Sequence, residues 1–500
     1  MAGVKRIIDL VGRRRHEVLL TLLVLAVVGP AMYYRAPLYV LQPDILYVKA
    51  KVMYVLRGML FTDPITGYDT MHPPFYHLFL APFVAVGISV DAVLKWVAIV
   101  NVALTFFFTF KVISHEFNSR TAFWTCLLLP FIVEFMGPRN ILLSTSYFFS
   151  LPFYLAGLWL YLKSEKSVRG SIAAAALWGL TFLISPVFVF LLLLTFVYEV
   201  GFKRRYRRAF LMATVMGVIL IPFIIQLYIV YSKGSWGATT FAFWRGVPDG
   251  EWRRASIVEF ISPTKHLIMT FPALLHIGIL AAAGIIVIKS RRVHWFVPLS
   301  LAAVILSFYH FSGQYAIRVQ LFFSLFITAS LLSTFEKAKI WKYMLMPAVV
   351  LIMFYSLYDH YYRLMYTSKG AAPYRDLQIV GQEFWSNMGD HLEKDSYVFC
   401  NNAAYLQYVM PYFPVHTLGG HRKLDYFQLP KHISDELGRD DQLAENSADY
   451  AVIDSIARKY NIKAAILTRT EVGVPLYETL VKYWPVVYRD VYFGILRKPE

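Results

Sequence analysis

Long apolar runs separated by short basic clusters constrain the fold of this 500-residue chain more than any other feature of its sequence. Hydrophobic residues make up 57% of the chain, and its mean hydropathy is +0.50. A water-soluble domain of this size needs a polar surface and does not carry such a composition. Because a helix that crosses the bilayer needs about 20 apolar residues, the pattern predicts a polytopic α-helical membrane protein.

The excess of basic residues gives a net charge of +17. These residues lie in short loops between apolar runs, which is the positive-inside pattern. We therefore expect anionic membrane lipids as neighbours and no nucleic-acid partner. The first basic cluster leads into an apolar run without a small-residue cleavage site, which predicts a signal anchor and a cytoplasmic N-terminus. High aromatic content and two cysteines favour a prokaryotic plasma membrane.

The basic clusters also predict the topology, with about eleven membrane helices. After a first span at 17–34, the apolar parts 75–90 and 92–112 cannot both cross, because the basic cluster at 111–120 would then lie outside. We therefore interpret 75–90 as a juxtamembrane or re-entrant segment. The remaining predicted spans are 92–112, 121–137, 143–162, 171–185, 186–201, 209–231, 266–288, 294–310, 319–335 and 342–358.

Two further features of this topology depend on local sequence. Ser185-Pro186 interrupts the run 171–201, which is either one kinked helix or two short helices, and charge parity favours two. After residue 358, β-rich runs alternate with helical stretches at 374–393 and 473–483, so we predict a transmembrane catalytic domain, 1–358, and an extracytoplasmic α/β domain, 359–500. The predicted strands are Ser396–Cys400, Ala464–Leu467, Val486–Tyr488 and Tyr492–Leu496.

The first outer loop, 35–91, carries the most distinctive polar residues. A helix beginning at Pro43 would hold Asp44 in its first turn, where the macrodipole favours an ionised carboxylate, with Tyr47 one turn further on. Asp44 is then either a general base or an ordinary solvated loop acid. His72 precedes two prolines and is either a substrate-facing side chain or part of a rigid turn.

A second outer position combines Glu134 with Arg139. A carboxylate at this depth is costly unless it is paired or used. Glu134 therefore either forms a structural ion pair with Arg139 or is a second acid near the site, where it holds the acceptor or a divalent ion.

Cations at two other outer positions are candidates for binding a lipid phosphate. In the loop 232–265, Arg245, Arg253 and Lys265 stand among tryptophans, which are also typical of a plain membrane interface. Near the outer end of a later span, Arg318 follows Tyr315. Arg318 either snorkels to the interface or faces the bundle interior as a phosphate ligand.

No P-loop, dinucleotide fingerprint or Ser-His-Asp array stands out in the sequence. An enzyme working at the outer face has no ready access to nucleotide sugars. It would need an activated donor that is carried in the membrane, such as a polyprenyl-phosphate sugar.

The outer segments together resemble the GT-C class of integral-membrane glycosyltransferases, which includes protein O-mannosyltransferases and lipid A aminoarabinose transferases. The residues that carry this resemblance are Asp44, Tyr47, Gly58–Tyr68, His72–Tyr76, Pro130–Tyr147 and Tyr315–Arg318, together with the α/β tail. The chain departs from many members at two points. Ile45 stands where they have a second acid, and Ile184-Ser185 precede Pro186 where they have a lysine.

The resemblance implies sugar transfer from a polyprenyl-phosphate donor to a protein, lipid or glycan hydroxyl, with inversion at the anomeric carbon. Asp44 would deprotonate the acceptor, and Glu134 and Arg139 would place it. Cations would offset the charge on the leaving phosphate, namely Arg318 and one of Arg245, Arg253 and Lys265. No cofactor is required, although a divalent metal is compatible with the scheme.

Two other functions remain as alternatives from the sequence. The first is a lipid or solute transporter or flippase, and the second is a non-catalytic scaffold that presents the tail. Charges that lie mainly in loops and a large outer tail favour the transferase over a transporter.

Overall fold

The computed structural model of the chain describes residues 43–69, 73–128, 146–232, 285, 294–310, 313–335, 390–400, 415–418, 431–468, 474–489 and 493–499. The chain forms two compact units. The helical unit comprises Met1–Tyr34, Lys95–Phe223 and Ala242–Met365, and the mixed unit comprises Arg35–Leu94, Ile224–Phe241 and Tyr366–Glu500. The predicted domain boundary at residue 358 lies outside the described residues and stays a prediction.

The helices of the described residues are numbered in chain order. They are α1 (Pro43–Leu56), α2 (Phe75–Ala85), α3 (Val90–Glu116), α4 (Ser119–Leu128), α5 (Ser146–Lys163), α6 (Val168–Ile184), α7 (Val189–Val197), α8 (Tyr206–Ser232), α9 (Phe296–His310), α10 (Gly313–Phe335), α11 (Lys431–Glu445), α12 (Tyr450–Lys459) and α13 (Pro475–Tyr483). A 3₁₀ turn, Pro186–Phe188, precedes α7, and a π-helical turn, Tyr198–Phe202, follows it.

Long apolar helices confirm that the chain is an integral membrane protein. Within the described residues, α3 and the part of α8 from Tyr206 to Ile229 are long and apolar enough to cross a membrane. The predicted spans at 17–34 and 342–358, and nearly all of 266–288, fall outside those residues. The number of about eleven helices therefore stays a prediction.

Helix α2 lies in the segment 75–90, which the positions of the basic clusters predicted not to cross the membrane. It has 11 residues, which rise about 16 Å, roughly half the thickness of the hydrocarbon core. Gly87, with φ +93°, lies in the turn between α2 and α3, where a side chain would be strained. The segment is too short to span, as a juxtamembrane or re-entrant segment should be.

The break at Ser185-Pro186 divides the predicted run into two helices. Val168–Ile184 and Pro186–Phe202 are bent by 120° relative to each other. Ser185 is extended, with φ −156° and ψ 121°, because proline disfavours a helical conformation in the residue before it. The predicted break is therefore present, while the assignment of the two helical segments to two separate membrane spans stays a prediction.

Helices α5 and α6 pack closely through Trp178, which is fully buried. Its indole nitrogen donates a hydrogen bond of 3.2 Å to the backbone oxygen of Tyr154. Gly157 faces the same ring, and a Cβ at that position would lie 2.5 Å from it. The absence of a side chain at Gly157 therefore lets the large indole fit between the two helices.

Within the described residues, the mixed unit contains a four-stranded sheet in the order β1-β2-β4-β3. The strands are β1 (Val398–Cys400), β2 (Ala464–Thr468), β3 (Val486–Arg489) and β4 (Phe493–Arg497). Strand β1 pairs with β2 in parallel, and the other pairs are antiparallel. All four predicted strands are confirmed, and the predicted helix at 473–483 corresponds to α13. Most of the predicted helix at 374–393 lies outside the described residues.

Candidate functional site

Helix α1 begins at Pro43, as the sequence predicted, and Asp44 lies in its first turn. The partial positive charge at a helix N-terminus favours the ionised form of a carboxylate there. Positions 44, 47 and 51 follow the i, i+3, i+7 spacing that places residues along one face of a helix. Position 44 therefore lies on the same face of α1 as positions 47 and 51.

Tyr47 lies against a histidine that the sequence pattern did not single out. The Tyr47 and His77 rings meet edge to face, with centroids 6.4 Å apart. His77 is fully buried on α2 and also contacts the Tyr76 ring at 5.4 Å. The sequence signal that could have identified His77 is its position inside a short apolar segment, five residues after His72. His72 itself lies outside the described residues.

Lys51 is a fully buried cation on α1. Its Nζ donates a hydrogen bond of 2.5 Å to the backbone oxygen of Thr62. Burial lowers the pKa of Lys51 to about 8, although the negative charges of Asp63 and Asp69 act in the opposite direction. The ammonium group is therefore still mainly protonated at neutral pH, and it ties α1 to the loop that follows.

Lys49 holds α1 at a second point through an ion pair with Asp91 in the first turn of α3. Lys49 is buried and Asp91 is half exposed. Burial lowers the pKa of Lys49, and the Asp91 charge opposes that shift. The two lysines thus fix α1 to different segments of the mixed unit.

The loop after α1 contains a tight turn from Asp63 to Tyr68. The buried Asp63 carboxylate accepts hydrogen bonds from the backbone nitrogen of Thr66 at 2.9 Å and from its hydroxyl at 2.8 Å. Backbone bonds from Asp63 N to Tyr68 O and from Gly67 N to Asp63 O close the turn. Asp63 is a structural acid here, because its carboxylate satisfies the donors of its own turn.

Tyr315 and Arg318 lie within α10, which begins at Gly313. The predicted span began at 319 and placed Arg318 at its head, so the observed helix starts six residues earlier. Arg318 therefore lies in the second turn. The i, i+3 spacing of positions 315 and 318 places them on one face, near the helix end whose partial positive charge favours anions.

Six predicted site residues lie outside the described residues, and their roles stay predictions. They are His72, Glu134, Arg139, Arg245, Arg253 and Lys265. In the part of the chain that the structure describes, no group of three or more His, Cys, Asp or Glu residues is arranged to hold a metal ion.

The helical unit contains a buried charge cluster that the sequence pattern did not indicate. Glu199, which is 2% exposed, accepts hydrogen bonds from the Tyr161 hydroxyl at 2.5 Å and from Arg208 Nη1 at 3.3 Å. Arg208 also donates to the Ser171 hydroxyl at 2.9 Å and to the backbone oxygen of Tyr161 at 2.7 Å. These bonds tie α5, α6, the π-helical turn and α8 together, which is a structural role.

Comparison with known proteins shows a shared fold but no similarity to a protein family or a curated protein. The sequence matches no protein-family model and no curated protein. Among solved structures, ArnT from Cupriavidus metallidurans bound to undecaprenyl phosphate has a TM-score of 0.61 at 14% identity, over 97% of this chain and 98% of that chain. The oligosaccharyltransferase of Archaeoglobus fulgidus tethered with an acceptor peptide has a TM-score of 0.59 at 12% identity, over 92% and 70%.

Both of these structures are GT-C glycosyltransferases. ArnT in the apo state matches equally well, with a TM-score of 0.61 at 13% identity, over 95% of this chain and 97% of that chain. The resemblance seen in the sequence is thus confirmed at the level of the fold. The chain has the GT-C fold, at identities where a likeness establishes architecture and not activity.

Proposed function

We propose that the protein is a glycosyltransferase that moves a sugar from a polyprenyl-phosphate donor to an acceptor hydroxyl at the outer face of the membrane, with inversion. The observation that carries this proposal is the shared fold with two proteins that bind lipid phosphates. ArnT was solved with undecaprenyl phosphate, and the archaeal oligosaccharyltransferase AglB with dolichol-phosphate and an inhibitory peptide. Because one fold hosts several functions, the proposal also depends on the candidate site.

Asp44 is the proposed general base. Its carboxylate takes the proton of the acceptor hydroxyl while the acceptor oxygen forms a bond to the anomeric carbon. The bond between that carbon and the phosphate oxygen breaks on the opposite face, which inverts the configuration. The electron pair leaves with the polyprenyl phosphate, and Asp44 then returns its proton to water. A first-turn position supports this role, because the positive end of the helix dipole favours an ionised carboxylate.

The charge that develops on the leaving phosphate needs positioned cations. Arg318 in α10 is the first candidate, and one of Arg245, Arg253 and Lys265 is the second. Tyr315 would contribute a hydroxyl from the same face of α10. A lipid phosphate is already a good leaving group, so the scheme needs no general acid and no metal, and a divalent ion would be an addition to it.

Placement of the acceptor is assigned to Tyr47, His72, Glu134 and Arg139. Tyr47 lies one turn from Asp44 on α1, where a hydroxyl or a ring face can orient an incoming sugar or peptide. The scheme is the same for a protein, lipid or glycan acceptor, and for either a hexose or a pentose.

Replacement of Asp44 by asparagine tests the assignment of the base. In Asp44→Asn, we expect transfer from a radiolabelled polyprenyl-phosphate sugar to fall about 10²- to 10⁴-fold, because the amide cannot accept the proton. The KM for the donor should change little, and the elution profile should match that of the wild type. Undiminished transfer would reject Asp44 as the base. Vectorial movement of the lipid-linked sugar by a wild type that transfers none would favour the flippase.

Binding of the lipid carrier is tested separately from catalysis. Undecaprenyl phosphate at 100 times its dissociation constant should stabilise both the wild type and Asp44→Asn by about 2.7 kcal/mol in thermal unfolding. Undecaprenol, which lacks the phosphate, is the control. Equal shifts with the two lipids would show that the protein does not recognise the phosphate.

A further inference from the structure

We infer that the C-terminal domain positions the helix that carries Asp44, through a clamp formed by Tyr397, His416 and Thr417. The clamp binds the turn Asp63–Tyr68, and α1 contacts both the clamp and Thr62, the residue directly before the turn. The inference rests on the proposed function insofar as it treats Asp44 as the base. Under it, His416 is a positioning residue that never touches the substrate.

The clamp is attached to the C-terminal sheet at the start of β1. The backbone nitrogen of Val398 in β1 donates to His416 O at 2.8 Å, and His416 N donates to Ser396 O at 2.8 Å. Tyr397 and His416 form a parallel bridge between these bonds. The backbone of His416 is therefore fixed by β1, whose own partner is β2.

The clamp meets the turn through three polar contacts. Thr417 N donates to Ile65 O at 2.9 Å, and the Tyr397 hydroxyl donates to Thr66 O. Nδ1 of His416 lies 3.3 Å from Pro64 O, at a separation of 352 positions in the sequence. Three successive backbone oxygens of the turn are thus bound by the C-terminal domain.

Gly67 explains how the imidazole of His416 comes so close to the turn. Its φ is +74°, and a Cβ at this position would lie 2.8 Å from the His416 ring. Gly58 has a similar φ of +82°, but a Cβ there would meet nothing within 4 Å. An alanine at either position would meet the same backbone strain, but only an alanine at position 67 would also clash with a side chain, which makes the two glycines a matched pair.

Two contacts connect α1 with the clamp and with the chain next to the turn. The His416 ring meets the Tyr54 ring edge to face at 6.2 Å, and Lys51 Nζ donates to the backbone oxygen of Thr62, directly before the turn. Tyr54 and Lys51 are both buried residues of α1. A shift of the clamp therefore moves α1, and a misplacement of about 1 Å at a reacting group can cost about 100-fold in rate.

The matched glycines provide the test in the full-length protein. Gly67→Ala should raise hydrogen exchange of the peptide that contains Thr417, whose amide bonds to Ile65 O in the wild type. It should also lower kcat for sugar transfer about 10- to 100-fold, with the KM for the donor changed less than about threefold. Gly58→Ala should do neither to a comparable extent. Equal effects of the two substitutions on exchange and kcat would overturn the inference.

Two further variants test the clamp if Gly67→Ala folds poorly. His416→Ala combined with Gly67→Ala removes the clash, so the double variant should exchange less and fold better than Gly67→Ala alone. Tyr397→Phe removes only the hydroxyl that binds Thr66 O and should raise exchange of the turn in a folded protein. Wild-type exchange at the turn after Tyr397→Phe, together with no rescue in the double variant, would contradict the clamp.

Hydrogen exchange also separates this inference from the proposed function. If the wild type transfers no sugar from any lipid-linked donor, the proposed function fails while exchange still measures the clamp. If transfer is present and Asp44→Asn abolishes it, but Gly67→Ala leaves both exchange and kcat unchanged, the clamp fails and the function stands.

Discussion

Buried charged residues define much of the local structure at the scale of single residues. Lys51 in the mixed unit and Glu199 in the helical unit are both removed from solvent, at 0% and 2% exposure. Each has partners that replace water, since Lys51 binds a backbone oxygen near two carboxylates and Glu199 binds a tyrosine and an arginine. A buried charge with such partners is costly to leave unpaired, which makes its partners sensitive to substitution.

Arg208→Gln should destabilise the helical unit by about 3 kcal/mol, because the buried Glu199 carboxylate then loses its closest positive charge. Arg207→Gln is the matched control, since Arg207 is exposed and its replacement should change stability by less than about 0.5 kcal/mol. Thermal unfolding in detergent measures both variants. Equal midpoints for the two would show that the Glu199 cluster contributes no stability.

The buried imidazole of His416 should make the stability of the mixed unit depend on pH. Burial lowers its pKa, while the Pro64 carbonyl, Asp395 and Asp63 act in the opposite direction, and the facing rings of Tyr54 and Tyr397 carry no charge at neutral pH. The folded state therefore favours the neutral ring. Its contribution to stability is complete above the ordinary histidine pKa of about 6.5 and is lost as the pH falls through the window below that value.

Thermal unfolding measured at pH 7.5 and pH 5.5 checks this pH dependence. The drop in midpoint between the two pH values should be larger for the wild type than for His416→Gln, which has no titrating ring. An identical drop in both proteins would show that His416 does not carry the effect.

Helix boundaries and breaks follow local rules at the scale of the elements, and helix contacts do not. Pro43 and Pro186 mark the start of α1 and the break after α6, where proline chemistry predicts them. Helix α10 begins six residues before the predicted span at 319–335, because the helix continues through the polar residues around Gln314 beyond its apolar part, Leu321–Thr334. Packing between α5 and α6 depends on the pairing of Gly157 with Trp178, which no local pattern shows.

Gly157→Ala should cost about 1–3 kcal/mol in unfolding free energy, because the new methyl group overpacks against the Trp178 ring. Gly217→Ala in α8 is the control, since a Cβ there meets nothing within 4 Å. That change should be neutral or stabilising by up to about 1 kcal/mol, as expected for glycine in a helix interior. Loss of stability in both variants would indicate that the contact with Trp178 is not the cause.

The mixed unit brings together segments that are far apart in the sequence, which matters at the scale of the whole molecule. It combines Arg35–Leu94 with Tyr366–Glu500, so the helix of the proposed base and the C-terminal sheet belong to one compact body. Tyr68, in the loop after α1, packs against the core cluster of that body, which contains Leu480, Trp484 and Ile453. Stability should therefore be shared between the loop and the tail.

Leu480→Ala should raise hydrogen exchange in the peptide that covers Thr62–Tyr68, about 400 positions away, because a cavity in the shared core costs about 2–5 kcal/mol. Val481→Ala is the matched control, since Val481 is 53% exposed and its truncation leaves no cavity. Exchange mass spectrometry at neutral pH reports both. Unchanged exchange of the loop in Leu480→Ala would mean that the loop and the tail unfold independently.

Much of the architecture was predictable because it depends on local composition and local backbone chemistry. Apolar runs and basic clusters indicated a membrane protein, β-rich runs located all four strands, and Pro43 put Asp44 in the first turn of a helix. The roles of Asp44, His72, Glu134, Arg139, Arg245, Arg253, Lys265, Tyr315 and Arg318 remain proposals.

Side-chain partnerships were not predictable in the same way. The fit of His416 under Gly67, the burial of Lys51 beside Thr62 and the contact of Tyr47 with His77 join residues whose neighbours arise only when the chain has folded. A periodic pattern specifies which face of an element is apolar and carries no information about which distant segment will cover it, so these contacts required the folded arrangement.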